Sequence, residues 1–252
     1  MRATLKVLLA GESWESISTH IKGFDQFSST VYHSGADPLI QALTPIAEVT
    51  YLPNHRAARE FPLSITDLSA YDAVILSDIG ANTLLLHPDT WERGELKPNR
   101  LRLLAEYVSG GGGLIMAGGY LSFQGFQAAA GYAGTPLEAV LPVTLSRYDD
   151  RIEEPEGLSI TLLDPNHPIL QGLPGPWPYL LGVNQVTPKA NATVLAKAGE
   201  SPLLVVGTCG HGRSVAWTSD VGPHWCPDVF CQWSGYAPLW QQIVTWAAAK
   251  SA

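Results

Sequence analysis

The sequence predicts an α/β fold in which a mostly parallel β-sheet carries helices on both faces and is extended by antiparallel strands in its C-terminal half. Over roughly the first 120 residues, short apolar runs alternate with segments of helical hydrophobic spacing, a pattern typical of βαβ units. The second half instead carries short β-rich runs joined by turns. The chain has 252 residues, of which 46% are hydrophobic. This is enough for one large core, and we expect a single domain over residues 1–252.

Four apolar runs predict the parallel strands. Each run is short and ends in turn-forming residues, as expected for strands that are buried on both faces of a sheet. We place these strands at residues 6–9, 48–52, 72–76 and 114–117.

Helices are predicted where apolar side chains recur every three or four residues. Residues 37–47 begin with an Asp-Pro pair and show this spacing, as do residues 99–108. Gly110 is expected to end the second helix as a left-handed C-cap. The glycine run 110–113 is interpreted as a tight helix-to-strand turn, because a phosphate-binding loop follows a strand and does not precede one. A last helix is predicted at residues 238–249.

The C-terminal half predicts further strands, at least some of them antiparallel. A Cys-Gly-His-Gly segment at residues 209–212 is typical of a hairpin turn between two of them. The strands themselves are expected at residues 140–145, 158–163, 193–196, 203–206 and 214–218.

Charge and hydropathy exclude several classes of partner. The chain has 15 Lys and Arg against 23 Asp and Glu, a net charge of −8, and no basic cluster. We therefore expect no nucleic-acid partner and no binding to anionic membrane surfaces. Glycines and glutamines interrupt the longest uncharged stretch, residues 107–137, so no membrane crossing is expected. The N-terminus has no signal-peptide cleavage site and is interpreted as a first strand, which predicts a cytoplasmic protein.

The cysteines predict neither disulfides nor a metal site. Three cysteines are too few for a disulfide scaffold, and an odd number fits reduced thiols. His224, Cys226 and Cys231 are closely spaced, but the second ligand pair usual in zinc sites is missing. We expect no metal and no cofactor.

Polar side chains follow four of the predicted strands, where the loops of a parallel sheet converge on one edge. A carboxylate, an imidazole and hydroxyls beside glycine turns are suited to general acid–base chemistry or to binding a small polar ligand. The alternative is that Asp78 and Asp220 cap the following helices or turns. The candidate residues are Glu12, Trp14, Asp78, Asn82, Gly118, Gly119, Tyr120, Ser122, Asp220 and His224.

A long segment between the first strand and the first helix holds three further candidates. His20, Lys22 and Asp25 lie in this segment, and long irregular segments often act as lids or binding loops. The alternative is a solvated loop.

Several segments resemble the class I glutamine amidotransferase-like superfamily. The clearest is Gly-Leu-Ile-Met-Ala-Gly-Gly-Tyr-Leu-Ser-Phe at residues 113–123, and the similarity extends to 71–82, 149–151, 167–170, 218–220 and 223–225. Within the superfamily the sequence is most similar to a branch of cytoplasmic bacterial proteins of unassigned activity. The resemblance implies a flavodoxin-like, three-layer αβα fold.

Members of the superfamily with glutaminase activity carry a nucleophilic cysteine in Gly-x-Cys-x-Gly and a His-x-Glu pair near the C-terminus. In the alignment that the resemblance implies, Tyr120 takes the position of the cysteine, Ser122 takes that of the second glycine, and Cys226 takes that of the glutamate after His224. A phenol with an ordinary pKa near 10 is a poor acyl-transfer nucleophile at neutral pH. Glutaminase activity is therefore not expected.

Three hypotheses about function remain open. The first is a protein that binds a small polar metabolite at the sheet edge without thiol chemistry. The second is a hydrolase that uses Ser122 or Cys226 with His224. The third is a non-catalytic scaffold in which side chains fill the same edge.

Tryptophans are concentrated in the last third of the chain, and only 15% of all residues are charged. Aromatic rings can stack on sugars, but tryptophans are also frequent in cores and at subunit interfaces. We therefore expect a homo-oligomer in which this region is partly covered by another copy. The tryptophans concerned are Trp177, Trp217, Trp225, Trp233, Trp240 and Trp246.

Overall fold

An eight-stranded sheet forms the middle layer of the computed structural model, which describes residues 4–249. In chain order the strands are β1 (Leu5–Gly11), β2 (Ser13–Lys22), β3 (Asp25–Ser34), β4 (Ala47–Leu52), β5 (Ala73–Ser77), β6 (Gly113–Ala117), β7 (Val143–Leu145), β8 (Arg151–Leu158), β9 (Ile160–Leu162), β10 (Leu180–Asn184), β11 (Val186–Pro188), β12 (Thr193–Ala198), β13 (Ser201–Cys209) and β14 (Gly212–Trp217). The helices are α1 (Asp37–Leu43), α2 (Asn54–Glu60), α3 (Ile65–Leu68), α4 (Ala81–Leu85), α5 (Pro88–Arg93), α6 (Arg100–Ser109), α7 (Pro136–Val140), α8 (Asp228–Cys231) and α9 (Tyr236–Ala248).

The strand order confirms the predicted mixed sheet. Strands β4, β1, β5, β6 and β14 pair side by side in parallel, and β13, β12 and β9 continue the same sheet with antiparallel pairing. The predicted turn at residues 209–212 joins β13 to β14. Three separate two-stranded sheets pair β10 with β8, β11 with β7, and β2 with β3. The fold is flavodoxin-like, as the resemblance implies.

Helices cover both faces of the sheet because side chains alternate along its strands. In β1, Val7 and Leu9 belong to one core with α1 and α9, whereas Leu8 and Ala10 belong to a second core with α2, α4 and α6. Successive residues of a strand point to opposite faces, so one apolar strand supports two cores.

Two predicted boundaries are wrong for local reasons. The helix predicted at residues 37–47 ends at Leu43, and Ala47 already begins β4. The strand predicted at residues 140–145 is reduced to Val143–Leu145, because Val140 closes α7. Apolar residues at a helix–strand junction are buried in either state, so hydrophobicity alone did not locate these boundaries.

The start of α6 is as predicted, but the cap at its end is not. The Asn99 side chain caps the helix by accepting hydrogen bonds from the N–H groups of Leu101 and Arg102. Gly110 has a right-handed φ of −80°, and Gly111 takes the positive φ of 115° instead. The left-handed position therefore lies one residue later than predicted.

The long segment that held His20, Lys22 and Asp25 is not an irregular loop. It forms an antiparallel hairpin in which β2 and β3 pair without interruption from Ser13 opposite Ser34 to Lys22 opposite Asp25. Gly23, with a φ of 66°, supplies the tight turn between the strands.

The tryptophan-rich C-terminal third packs mainly within the chain. Trp217, Trp225 and Trp240 are fully buried, and the ring centroids of Trp217 and Trp240 lie 5.6 Å apart. Trp177 and Trp233 are partly buried and contact each other at 5.0 Å. These tryptophans therefore contribute to the core, and the covering of this region by another copy stays a prediction. None of the helices described over residues 4–249 is long and apolar enough to cross a bilayer.

Candidate functional site

A pocket of about 500 Å³ opens at the carboxyl edge of the parallel strands. The loops after β1, β5 and β6 meet there with the segment after β14, at the edge where ligands bind in open α/β sheets. Its walls combine acidic side chains with aromatic and apolar ones. They are formed by Glu12, Trp14, Asp78, Tyr120, Leu121, Phe126, Asp220, Pro223 and His224.

Unusual backbone conformations position two of the acidic residues. Glu12 follows β1 with a φ of 54°, and Asp78 follows β5 with a φ of 45°. Residues other than glycine rarely adopt this left-handed region, and such strain is concentrated at functional sites. The Glu12 N–H donates to the Ser77 carbonyl at 2.8 Å, so the end of one strand holds the turn of its neighbour.

Gly119 lies between two of the carboxyl groups. A Cβ atom at this position would lie 2.8 Å from Asp220 Oδ1 and 2.9 Å from Asp78 Oδ1. Gly119 also has a φ of 136°, which glycine adopts without strain. The glycine therefore lets the carboxyl groups of Asp78 and Asp220 approach the same backbone turn from two strands.

Hydrogen bonds from residues 4–249 fill only part of the hydrogen-bonding capacity of each carboxyl group of the pocket. Asp78 Oδ1 accepts the Leu121 N–H at 2.6 Å, and the Ser77 hydroxyl donates to Glu12 Oε2. Asp220 Oδ2 accepts the Trp225 N–H at 3.0 Å and lies 3.1 Å from His224 Nδ1. The side chain of Asp78 does not cap α4, whose N-cap residue is Gly80. Asp220 holds the turn that follows it and orients the imidazole.

Burial raises the pKa of all three carboxyl groups, and repulsion within the cluster raises the pKa of Glu12 and Asp78 further. Burial, with the charges of Asp220 and Asp78, raises the pKa of Glu12 well above its usual range. Burial and the charge of Asp220 raise the pKa of Asp78 to about 6. Burial also raises the pKa of Asp220, against the opposing effect of its hydrogen bond with His224, and that hydrogen bond raises the pKa of His224. The cluster is an electrostatically strained acidic site.

Tyr120 adds an aromatic ring to the lining of the same pocket. Its ring lies edge-on to the His224 ring at 4.7 Å, and its hydroxyl donates to Glu153 Oε1 at 2.9 Å. The Arg151 guanidinium lies 5.0 Å from the Tyr120 ring and 4.0 Å from the Phe126 ring. Cation–π contacts of this kind hold the two rings in place.

A buried amide fixes the turn that carries Gly119 and Tyr120. Asn184, which is fully buried, accepts the Gly119 N–H at 3.0 Å and donates to the Gly119 carbonyl at 3.2 Å. It also donates to Asp150 Oδ1 at 2.8 Å. Gly118 has equally little room, since a Cβ there would lie 2.3 Å from the Thr218 carbonyl oxygen. Gly118 and Gly119 thus shape the site through their backbone.

A family model described as "Putative glutamine amidotransferase" matches residues 6–249. The chain belongs to this family. A search of the curated proteins finds no match. The glutamine amidotransferase-like assignment agrees with the resemblance noted from residues 113–123.

Solved structures include similar members. One cytoplasmic protein from Salmonella typhimurium is 41% identical, with a TM-score of 0.94 over 98% of this chain and 100% of its own. A second, from Salmonella typhimurium LT2, is 42% identical, with a TM-score of 0.92 over 96% and 99%. A thua-like protein from Bacteroides uniformis has a TM-score of 0.58 at 12% identity over 98% and 93%, a likeness in fold alone.

Several sequence-predicted residues of this amidotransferase-like chain lie outside the pocket walls. Ser122 is only 2% exposed, and its Oγ accepts the Asp78 N–H at 3.0 Å, so it supports the Asp78 turn from behind. Asn82 lies exposed on α4, one turn beyond the pocket loop. His20 and Lys22 lie near the tip of the hairpin.

Cys226 is fully buried, with its Sγ 3.7 Å from Cys231 Sγ. Burial raises the pKa of the Cys226 thiol well above its usual range, so the thiol stays protonated. Among the residues described, no hydrogen bond joins His224 to Cys226 or to Ser122. No group of three or more His, Cys, Asp or Glu side chains within residues 4–249 is arranged to hold a metal ion.

Sequence reasoning missed the residues that reach the site from the second half of the chain. Glu153 comes from β8 and Asn184 from the end of β10, strands that pair outside the main sheet. Phe126 lies in a short 3₁₀ turn after the Tyr120 loop. The Asp-Asp-Arg run at residues 149–151 is the one sequence signal for this region. Three adjacent charged residues are unusual in a chain with few charges and indicate ion pairs or hydrogen bonds with other segments.

Proposed function

We propose that the pocket binds a small molecule that combines a protonated amine with a flat apolar group. The observation that supports this most strongly is the convergence of Glu12, Asp78 and Asp220 with His224 as the single basic lining residue. A ligand ammonium relieves the repulsion between carboxylates and supplies hydrogen-bond donors to their free oxygens.

The rest of the lining accounts for the apolar part of the ligand. Trp14, Tyr120 and Phe126 offer ring faces, and Leu121 and Pro223 add aliphatic surface. Pockets of this size bind small ligands through apolar walls and a few placed polar groups. The ring faces orient the ligand, and the carboxylates select its charge.

Thiol-based glutamine hydrolysis is not part of this proposal. Tyr120 follows the two glycines after β6, where the resemblance places the nucleophilic cysteine, and it has no left-handed φ. Its pKa is raised, chiefly by burial, so the phenol stays protonated and unreactive at neutral pH. Incubation with glutamine is expected to release no ammonia above the buffer rate.

A hydrolase remains a second candidate because of one observation. Asp220 holds His224 through Nδ1, and no hydrogen bond within residues 4–249 occupies Nε2, which can act as a base on a water molecule or a ligand. The scaffold hypothesis receives less support, since it requires a filled sheet edge, whereas the edge is open. We extend the cytoplasmic location of the Salmonella proteins to this chain as part of the proposal.

Three probes that share a phenyl ring and differ in their head group test the proposed ligand class. Phenethylamine, 2-phenylethanol and phenylacetate present a cation, a neutral hydroxyl and an anion to the same pocket. A ligand that binds only the folded protein raises the melting temperature. We expect the amine to raise it most and the acid to leave it unchanged. An equal effect of the acid, or no effect of any probe at excess concentration, would refute the proposal.

Repeating the measurement with the Asp78→Asn variant and the same probes distinguishes binding in the pocket from binding elsewhere. Asparagine keeps the shape of the side chain but removes the charge. The rise in melting temperature caused by phenethylamine is expected to be smaller in this variant, whereas the rise caused by 2-phenylethanol is expected to be unchanged. An amine effect of equal size in both proteins would place its binding outside the carboxylate cluster.

A further inference from the structure

The hairpin formed by β2 and β3, which we call the arm (residues 13–34), projects from the body of the protein. Every residue from Ile17 to Tyr32 is exposed. The arm is tied to the body only near its base, where Ser13 bonds to Asn54 and the Tyr32 ring contacts His55 edge-on at 5.3 Å. Ten residues per strand extend about 30 Å.

The arm exposes apolar side chains on both faces. Residues directly opposite each other in an antiparallel pair share a face, so Trp14, Phe27 and Val31 lie on one side and Ile17 and Ile21 on the other. A two-stranded hairpin is only marginally stable in water, and more strands or a packed face are needed to hold it. The exposed fractions are 43% for Trp14, 71% for Ile17, 72% for Ile21, 109% for Phe24, 53% for Phe27, 52% for Val31 and 47% for Tyr32.

Both outer edges of the arm are open and unprotected. Natural edge strands resist pairing with other chains through prolines, bulges and charged residues. The ten consecutive pairs of the arm contain no register shift, its sequence contains no proline, and its single lysine, Lys22, sits beside the turn. An edge of this kind is suited to pairing with another strand.

We propose that the arm is the interface between two copies of this chain, which join about a two-fold axis by pairing their arms edge to edge. Edge pairing adds the ten-residue strands of a second arm to this hairpin, and three or more strands with an apolar face are what such a sheet needs to be stable. Two arms together give a four-stranded sheet with apolar faces.

The charge distribution favours a second copy over a charged partner. The arm contains Glu15 and Asp25 against Lys22, a net charge of −1 out of −8 for the whole chain, so two arms meet without strong repulsion. Self-complementary pairing about a two-fold axis is also the commonest mode of association in soluble oligomers. The base of the arm carries Trp14, which lines the pocket, so the proposed interface adjoins the candidate site.

Sedimentation equilibrium of the whole chain tests this interface. At about 10 µM, at the weak end of the affinities usual for protein–protein interfaces, we expect twice the chain mass. The double variant Ile17→Glu, Val31→Glu places like charges on both faces of the paired arms and is expected to halve that mass. Leu96→Glu is the matched control, because Leu96 is 99% exposed but lies outside the arm, and it is expected to remain a dimer.

Circular dichroism and hydrogen exchange complete the test. An unchanged circular dichroism spectrum shows that the double variant keeps the folded body, because the core does not include the arm. In the wild type, the exchange of arm amides is expected to slow as protein concentration rises. A monomeric wild type, a double variant that stays dimeric, or arm exchange that is independent of concentration would each overturn the proposal.

Discussion

Replacing Asp78 with asparagine is expected to stabilise the protein at neutral pH. The pKa of Asp78 rises from its ordinary 3.8 to about 6, first through burial and then through the charge of Asp220. The difference corresponds to about 3 kcal/mol that the folded state loses when this carboxyl ionises. Asparagine keeps the oxygen that accepts the Leu121 N–H at 2.6 Å but cannot ionise.

The sign and the pH window of this effect follow from proton linkage. Because the pKa of Asp78 is higher in the folded state, that state holds the extra proton between about pH 4 and pH 6. The free energy of unfolding therefore falls as pH rises through this window, and the full penalty is present above about pH 7. The Asp78→Asn variant has no carboxyl group to ionise at this position. Its gain in free energy of unfolding over the wild type therefore grows from near zero at about pH 4 to its full size at about pH 7.

Thermal unfolding followed by circular dichroism at several pH values measures this advantage. For a chain of this length, about 3 kcal/mol corresponds to a rise in melting temperature of roughly 5–10 °C at pH 7. Asp149→Asn is the control, since the hydrogen bond with Arg151 lowers the pKa of Asp149 and its replacement is expected not to stabilise. An Asp78→Asn variant that is no more stable at pH 7, or whose advantage is the same at pH 4, would refute this reasoning.

Three further substitutions test the same site and its support. Gly119→Ala is expected to abolish the melting-temperature rise caused by phenethylamine and to cost about 2 kcal/mol more stability than Gly134→Ala. Both glycines have positive φ, but only at Gly119 would the new Cβ meet carboxylate oxygens. If urea unfolding shows that both variants lose the same free energy of unfolding, the Cβ added by Gly119→Ala does not clash with the carboxyl groups. Asp220→Asn is expected to lower the pKa of His224, which an NMR titration of the imidazole measures, and an unchanged value would show that Asp220 does not hold the ring. Arg100→Met is expected to cost about 3 kcal/mol or more in urea unfolding, because the buried guanidinium donates to carbonyls at the ends of α2 and α4, and an unchanged midpoint would contradict that role.

Much of the sheet and part of the site could be predicted from the sequence because both depend on local patterns. Apolar runs located the parallel strands, and the convergence of their following loops brought Glu12, Asp78, Asp220 and His224 together. The same rule misplaced Asn82, because α4 begins at Ala81 and turns the next side chain to solvent. Where the loop ends and the helix begins decides which way the Asn82 side chain points, and the rule that loops converge at the sheet edge does not locate that boundary.

The arm and the second-half contributions depend on information that local patterns do not carry. Both faces of β2 and β3 are exposed, so burial imposes no alternation on their sequence. The one local signal was Gly23 at the first central position of a two-residue turn. Glu153 and Asn184 reach the site through the pairing of β8 with β10, a contact between segments far apart in the chain.

Titration calorimetry with phenethylamine at pH 5 and pH 7.5 tests the central claim, that the carboxylate cluster selects a cation. With a pKa of about 6, Asp78 is mostly neutral at the lower pH and ionised at the higher one, while the amine stays protonated at both. The account predicts binding up to about tenfold tighter at pH 7.5. Affinity that is unchanged between the two pH values, or that is stronger at pH 5, would contradict it.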